Sequence, residues 1–284
     1  MASEDIATQY EQSGYVYQPA FLSAHELEQL RRITARFHQH WLQENQHFYW
    51  QRAINSAYLT HTERMSDEDR QAVFSIIGSA RMASMVKPLL PDRAAFMNTQ
   101  LFFDPHNPQQ KNYWHRDTQY LYSPEEEQAQ LGSTRVLHYR LALYDEPGIE
   151  LIPGSHNQWD SPEELDVRLG RNGREAYHDL PRGQRVPLNA GDLLIFDASM
   201  MHRGLYGNNR FALDVLFCEV RQDLLQHVDA NCLPDEATLG EIDYPAPLKP
   251  AAMPYDKLRN NLSRHGYFTA FRQWYSRATS IPVK

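Results

Sequence analysis

The sequence predicts a mainly β protein with flanking helices: a double-stranded β-helix (jelly-roll, cupin-like) core with an N-terminal helical layer. Three observations lead there. Apolar residues recur at helical spacing through the first third of the chain. From about residue 94 the period shortens to two, and short alternating segments separated by Gly, Pro and Asn turns then follow to about residue 220. Helices laid over a core of short strands bury both an amphipathic stripe and a pleated face.

Taken in order, Gly14-Tyr15-Val16-Tyr17 alternates like a short strand. Ser23-x-x-Glu26 has the composition of a capping box, and Leu27, Leu30, Ile33, Phe37 and Trp41 continue behind it on one helical face. Residues 61–70 are charged and expected to be exposed. A second helix is predicted over 69–87, ended by Pro88 and Pro91. Met97–Phe103 reads as a strand, followed by a loop rich in Pro, Asn and Gln, the segment Asn112–Asp117, and the alternating stretch Thr134–Tyr144. Ile152-Pro153-Gly154-Ser155-His156 is a turn, and Ser161-Pro162-Glu163-Glu164 opens a short helix with proline in its first position. Val186–Leu188, the Asn189–Asp192 turn, Leu193–Phe196 and Phe211–Val220 complete the β-rich part.

The expected organisation is a single domain, 1–284, with a helical flank (1–93), a jelly-roll core (94–221) and a C-terminal extension (222–284). From Lys257 onward the extension carries six Lys/Arg and no Asp or Glu, with Phe268, Phe271 and Tyr275 at helical spacing. It is expected to dock on the barrel, with a homo-oligomeric contact between copies of the chain as the alternative.

A chain of 284 residues suits one sizeable core that needs no disulfides. The net charge of −8 argues against nucleic-acid and anionic-membrane partners. No apolar run approaches a membrane span, and the start of the chain lacks a basic region followed by an apolar stretch. Cys218 and Cys232 sit in unlike contexts and suggest no disulfide framework, which suits a cytoplasmic protein.

The chemistry centres on Asn112-Tyr113-Trp114-His115-Arg116-Asp117. In an extended segment His115 and Asp117 share a face and Arg116 takes the other. With His202 from a distant strand they make two imidazoles and a carboxylate, which leaves a metal three open positions, as in non-haem Fe(II) oxygenases. With 13 His and 18 Asp in the chain, a His-x-Asp triplet arises about once by chance, so context must decide. A decoy, His227-Val228-Asp229, is followed only by His265 in a helix-like segment. His115-Arg116-Asp117 also spells the start of a kinase catalytic loop, but the required Asn five residues on is Tyr122, and no Asp-Phe-Gly or phosphate loop is present. Arg210, at the start of a later strand, is placed to grip a dicarboxylate; a surface salt bridge is its bland alternative. Arg203 is a rival, but as the neighbour of His202 it is expected to point away.

The chain resembles the phytanoyl-CoA dioxygenase family of Fe(II)- and 2-oxoglutarate-dependent oxygenases, which includes the ectoine hydroxylases. The matching residues are Gly14-Tyr15-Val16, Trp114-His115-Arg116-Asp117, Ile152-Pro153-Gly154-Ser155-His156, Ala190-Gly191-Asp192-Leu193-Leu194-Ile195-Phe196, His202 and Arg210. They follow the family's order over most of residues 14–217. The resemblance implies that His115, Asp117 and His202 are the iron ligands and that Arg210 binds the far carboxylate of 2-oxoglutarate. Asn98 and Gln100 are similar to positions that help hold that cosubstrate, with plain strand-face polar residues as the alternative. Fe(II), 2-oxoglutarate and O2 are the implied cofactors, and succinate and CO2 the products. Halogenating relatives replace the Asp ligand with a small residue, so an intact Asp117 implies hydroxylation or a related oxidation. The His202–Arg210 interval is shorter than usual in the family, and the insert from Asn157 to Arg185 has no match there and is a candidate lid.

For the substrate, the resemblance suggests that His138 and Arg140 face the barrel interior, where they are expected to recognise a polar or anionic small molecule. An outward arginine and a packed histidine are the alternative. Tyr120, with Tyr113, Trp114 and Tyr122, is a candidate aromatic rim, or simply core. The leading expectation is a 2-oxoglutarate-dependent hydroxylase of a small metabolite. The alternatives are a cupin-like metal-dependent hydrolase or isomerase, and a non-catalytic jelly-roll binding protein. Three protein ligands rather than a filled coordination sphere weigh against the last.

Overall fold

The computed structural model describes residues 3–91 and 94–249. Helix α1 (Ser3–Ser13) turns through Gly14 into strand β1 (Tyr15–Gln18). Gly14 has φ +82°, and a Cβ there would lie 2.6 Å from His156 Nδ1, so the turn and its close contact both call for glycine. The long helix α2 (Ala24–Gln51) starts at the predicted capping box: Ser23 Oγ accepts from the Glu26 N–H, and the Glu26 carboxylate accepts from the Ser23 N–H. Strand β2 (Asn55–Ala57) follows, then α3 (Asp67–Ile77) and α4 (Ala80–Val86).

The single helix expected over 69–87 is therefore two. Gly78 closes α3, and Ser79, in extended conformation, accepts from the Met82 N–H to start α4. A side-chain cap one residue after a glycine restarts the helix at a new angle, which hydrophobic period alone does not reveal. Residues 61–70 are mostly exposed as expected, with Met65 and Arg70 turned inward.

The β-rich part comprises β3 (Ala94–Phe103), β4 (Val136–Ala142), β5 (Glu146–Leu151), β6 (Gln184–Leu188), β7 (Leu193–Asp197), β8 (His202–Gly204) and β9 (Phe211–Glu219). Helices α5 (Pro124–Gln130) and α6 (Pro162–Leu169) interrupt it, and short α7 (Gln222–Leu225) and α8 (Glu236–Glu241) follow it. A six-stranded sheet runs β1-β7-β4-β9-β3-β2 and a three-stranded one runs β6-β5-β8, with every pair antiparallel. This is the predicted jelly roll with its helical layer. Two strands that precede residue 94, β1 and β2, form the edges of the large sheet.

The pleat of β4 sorts the interior. Leu137, Tyr139 and Leu141 join Leu213, Val215 and Phe217 of β9 and Leu30, Ile33, Phe37 and Trp41 of α2 in one apolar cluster, with Trp41 and Phe103 centroids 5.2 Å apart. Each such side chain contributes about 1.5–3 kcal/mol on leaving water. The alternate residues, His138 and Arg140, look between the sheets, beside a second apolar cluster that includes Ile149, Leu194 and Phe196. Helices thus cover one face of the large sheet, and its other face is free to line a cavity.

Both cysteines are free and buried. Among the described residues no helix is long and apolar enough to cross a membrane. The basic segment from Lys257 lies outside the described residues.

Candidate active site

His115 and His202 are direct cross-strand neighbours. Each donates its backbone N–H to the other's carbonyl at 2.9 Å, which brings their ring centroids to 4.2 Å. Asp117 is tied in by its own N–H to the Ala198 carbonyl and begins a short 3₁₀ turn to Tyr120. His115 Nε2 lies 3.4 Å and His202 Nε2 3.8 Å from Asp117 Oδ1. Among the described residues these three form the single group of side chains whose ligand atoms converge, all within 4.8 Å of one another. Their other nitrogens face backbone carbonyls, His115 Nδ1 that of Tyr113 at 3.1 Å and His202 Nδ1 that of Met200 at 2.9 Å. A carbonyl only accepts, so Nδ1 carries the proton and Nε2 presents its lone pair to the cluster.

The electrostatics suit a divalent metal. Burial, and then the nearby His115, push the His202 imidazole down to about 3, so it is neutral. Burial opposes ionisation of Asp117, but the imidazoles of His115 and His138 beside it outweigh that and hold the carboxyl far below its ordinary range. Neutral imidazoles and an ionised carboxylate are the forms that ligate Fe(II).

Arg116 takes the opposite face, as alternation requires. Its guanidinium is wholly buried and donates to Asp160 Oδ1 (3.0 and 2.7 Å), to the Ser155 and Gln158 carbonyls (2.6 and 3.0 Å), and to the carbonyl of Ser199. Asp160 Oδ2 accepts from Arg168 of α6 at 2.7 Å, and Arg168 also reaches Gln119 and Glu127. The insert expected to act as a lid is instead bolted, through Asp160 and α6, to the back of the His115–Asp117 segment.

Arg210 lies in the same cleft as the triad, an open cavity of about 840 Å³ including its mouth. The short interval from His202 is spanned by left-handed residues Gly207, Asn208 and Asn209, with the Asp104 carboxylate accepting from the Gly207 and Arg210 N–H groups. The guanidinium is 5.1 Å from the Phe102 ring, and its Nε and Nη1 are buried without a hydrogen-bond partner. Burial, and then the charge of Arg140, lower its pKa, yet arginine stays protonated. A buried guanidinium with idle donors is the group a ligand carboxylate satisfies. Arg203, the rival, points away to Glu150, Asp179 and the Tyr177 carbonyl.

The remaining expected residues divide. Gln100 and Tyr120 line the cleft, with Tyr120 Oη 3.0 Å from Tyr113 Oη and both rings beside His115. Asn98 does not line it: its Oδ1 accepts from the Tyr58 and Thr99 N–H groups and shapes the loop after β2. His138 and Arg140 face the interior, but neither is poised for an anionic substrate. Arg140 is gripped by Glu146 (2.9 and 3.1 Å) and by Asp214 (2.9 Å), and His138 lies between Asp117 and Asp214. Burial opposes a charge on His138, but hydrogen bonds to Asp117 and then Asp214 raise it to about 9. Sequence reasoning missed Asp214 and Glu146. The usable signal was a lone carboxylate inside the apolar run Phe211–Cys218. Among the described residues the decoy pair belongs to no convergent group of three ligands: Asp229 caps the turn Ala230–Cys232 and lies 4.0 Å from His61 Nε2, and His227 borders a neighbouring cavity.

Residues 10–209 match the family model described as phytanoyl-CoA dioxygenase (PhyH). No curated protein sequence matches the chain. Solved structures do match. HygX from Streptomyces hygroscopicus, with iron bound, is 12% identical, with a TM-score of 0.55 over 76% of this chain and 86% of that one. AviO1 from Streptomyces viridochromogenes Tue57 is 14% identical, with a TM-score of 0.54 over 77% and 95%. EctD from S. alaskensis, with 2-oxoglutarate and 5-hydroxyectoine, is 16% identical, with a TM-score of 0.52 over 77% of each. At these identities the likeness is one of fold.

Proposed function

The chain belongs to the phytanoyl-CoA dioxygenase family, and from that premise we propose that His115, Asp117 and His202 hold Fe(II) while Arg210 receives the far carboxylate of 2-oxoglutarate. The protein is a 2-oxoglutarate-dependent oxygenase, and we read its substrate as a small polar metabolite that is hydroxylated or otherwise oxidised, with release of succinate and CO2. The observation that carries the reading is Arg210: a buried guanidinium with two idle donors in the cleft of a His-Asp-His group.

Bound iron and 2-oxoglutarate supply the activation of O2; the chain supplies position and exclusion. His115 and His202 present Nε2 because their Nδ1 protons are spent on backbone carbonyls. Asp117 stays ionised and balances the metal's charge. Arg210 would pair with the far carboxylate of the dicarboxylate and orient it in the cleft. Phe102, Ile149 and Phe196 give the cleft an apolar lining, and Tyr113 and Tyr120 sit beside His115 where a substrate would be oriented. The interior cation Arg140 already faces two carboxylates, so a polar substrate is favoured over an anionic one.

Anaerobic addition of Fe(II) and 2-oxoglutarate to metal-free protein is expected to raise a visible metal-to-ligand charge-transfer band. Asp117→Ala/His202→Ala should abolish it. Arg210→Ala should weaken 2-oxoglutarate binding by about 2–5 kcal/mol, since it strands a buried carboxylate. A band of normal affinity in Arg210→Ala would reassign the arginine. No band despite stoichiometric metal would favour a hydrolase or isomerase.

A further inference from the structure

We infer that His138 is the positioning residue for Asp117, holding one carboxylate oxygen so that only the other is offered to the metal. The inference rests on the metal-site reading above and concerns a residue that touches neither substrate nor metal in it.

The two oxygens of Asp117 are divided between different neighbours. Oδ1 faces the space bounded by His115 Nε2 and His202 Nε2, at 3.4 and 3.8 Å. Oδ2 points the other way and accepts from His138 Nε2 at 2.9 Å. The His138 ring has little freedom to leave. It stacks on Phe196, its direct cross-strand partner, with centroids 4.7 Å apart and planes within 15°. Its Nδ1 lies 3.0 Å from Asp214 Oδ2.

Asp214 is fixed in turn. Its Oδ1 accepts from Arg140 Nη1 at 2.9 Å across the β4–β9 register, and Arg140 is clamped by both oxygens of Glu146. Glu146, Arg140, Asp214, His138 and Asp117 are each at most 9% exposed. A buried charge is tolerated when paired, and a chain of such pairs holds each member in one orientation. Here the chain ends on a carboxylate that, left free, could rotate and present both oxygens. With Oδ2 held, Asp117 binds through Oδ1 alone and leaves the remaining coordination positions to the cosubstrate and oxygen. The same arrangement accounts for an acidic residue in the apolar run Phe211–Cys218.

The test titrates the full metal-free protein anaerobically with Co(II), following visible d–d absorption, for wild type, Asp117→Ala, His138→Phe, His138→Gln and Asp214→Asn. Thermal unfolding without metal identifies the folded variants. Wild type should bind and Asp117→Ala should not. His138→Phe keeps a ring on Phe196 but donates nothing, and should lose about 10–100-fold in affinity, with altered band intensity as the carboxylate turns. His138→Gln keeps a donor toward Oδ2 and should bind more nearly like wild type. A merely structural role reverses that order, because Phe conserves the packing and Gln does not. Wild-type affinity and spectrum in folded His138→Phe, or Gln binding worse than Phe, would overturn the inference. Should neither His138 variant fold, Asp214→Asn decides: weakened Co(II) binding supports the relay and unchanged binding overturns it. Failure of wild type to bind Co(II) would instead remove the metal-site reading itself.

Discussion

A methyl group at position 204 would lie 2.5 Å from Arg210 Nη2, closer than any real contact allows. Gly204 is on β8, two residues after His202, and it is the absence of its side chain that lets the guanidinium sit in the cleft. Arg210 cannot retreat freely, since Phe102 and Tyr206 flank it at 5.1 and 5.6 Å. Gly204→Ala should therefore displace the arginine and weaken 2-oxoglutarate binding by about 1.5–3 kcal/mol, the worth of one charge-assisted hydrogen bond. Metal affinity without 2-oxoglutarate should hardly change. Calorimetric titrations with each ligand separately would check this, and an equal loss for both would place the damage at the triad instead.

At the scale of elements, the segment Trp114–Asp117 is held on two sides. On its front it pairs with β8 through His115 and His202. On its back Arg116 and Arg168 of α6 share Asp160, and Trp159 lies 5.3 Å from both guanidinium carbons. Asp160→Ala would leave two buried cations short of their common acceptor. Breaking a buried ion pair from one side costs about 3–5 kcal/mol. The urea midpoint of the metal-free protein should fall accordingly, and Co(II) binding should weaken because the element carrying two ligands loosens. A variant as stable as wild type would show that α6 is dispensable to the site.

For the whole molecule, the junction of the helical layer with the large sheet carries a pH-dependent term. His38 of α2 packs among Trp41, Phe103 and Phe211, its Nδ1 without a partner, and burial lowers its pKa to about 4. Its ordinary value is 6.5. The folded state thus refuses a proton that the unfolded chain accepts. His38 leaves stability intact above pH 6.5 and erodes it as pH falls from there toward 4, by about 1 kcal/mol at pH 5 after allowing for partial solvent access. Urea unfolding at pH 7.5 and 5 should show a smaller acid loss in His38→Phe than in wild type. An unchanged difference would assign the acid sensitivity elsewhere, for example to buried His202.

Much of this was legible along the chain because the rules involved are local. A period of two places His115 and Asp117 on one face and Arg116 on the other, and a period near 3.6 with a Ser-x-x-Glu start describes α2. The helix break at Gly78 was less visible, since it depends on a cap rather than on hydrophobic spacing.

The sequence by itself determined the jelly roll, its helical layer and the family, together with the residues able to carry the chemistry. Only the tertiary structure decided which of those residues meet. His138 and Arg140 face the interior as expected, yet what they bind there is set by Asp117, Asp214 and Glu146. Alternation along a strand fixes a side chain's face, whereas its partner depends on register with strands far away in the chain. The same holds for Arg210, whose place in the cleft depends on a left-handed turn, a capping aspartate and a missing Cβ. None of these can be weighed until the distant segments are brought together.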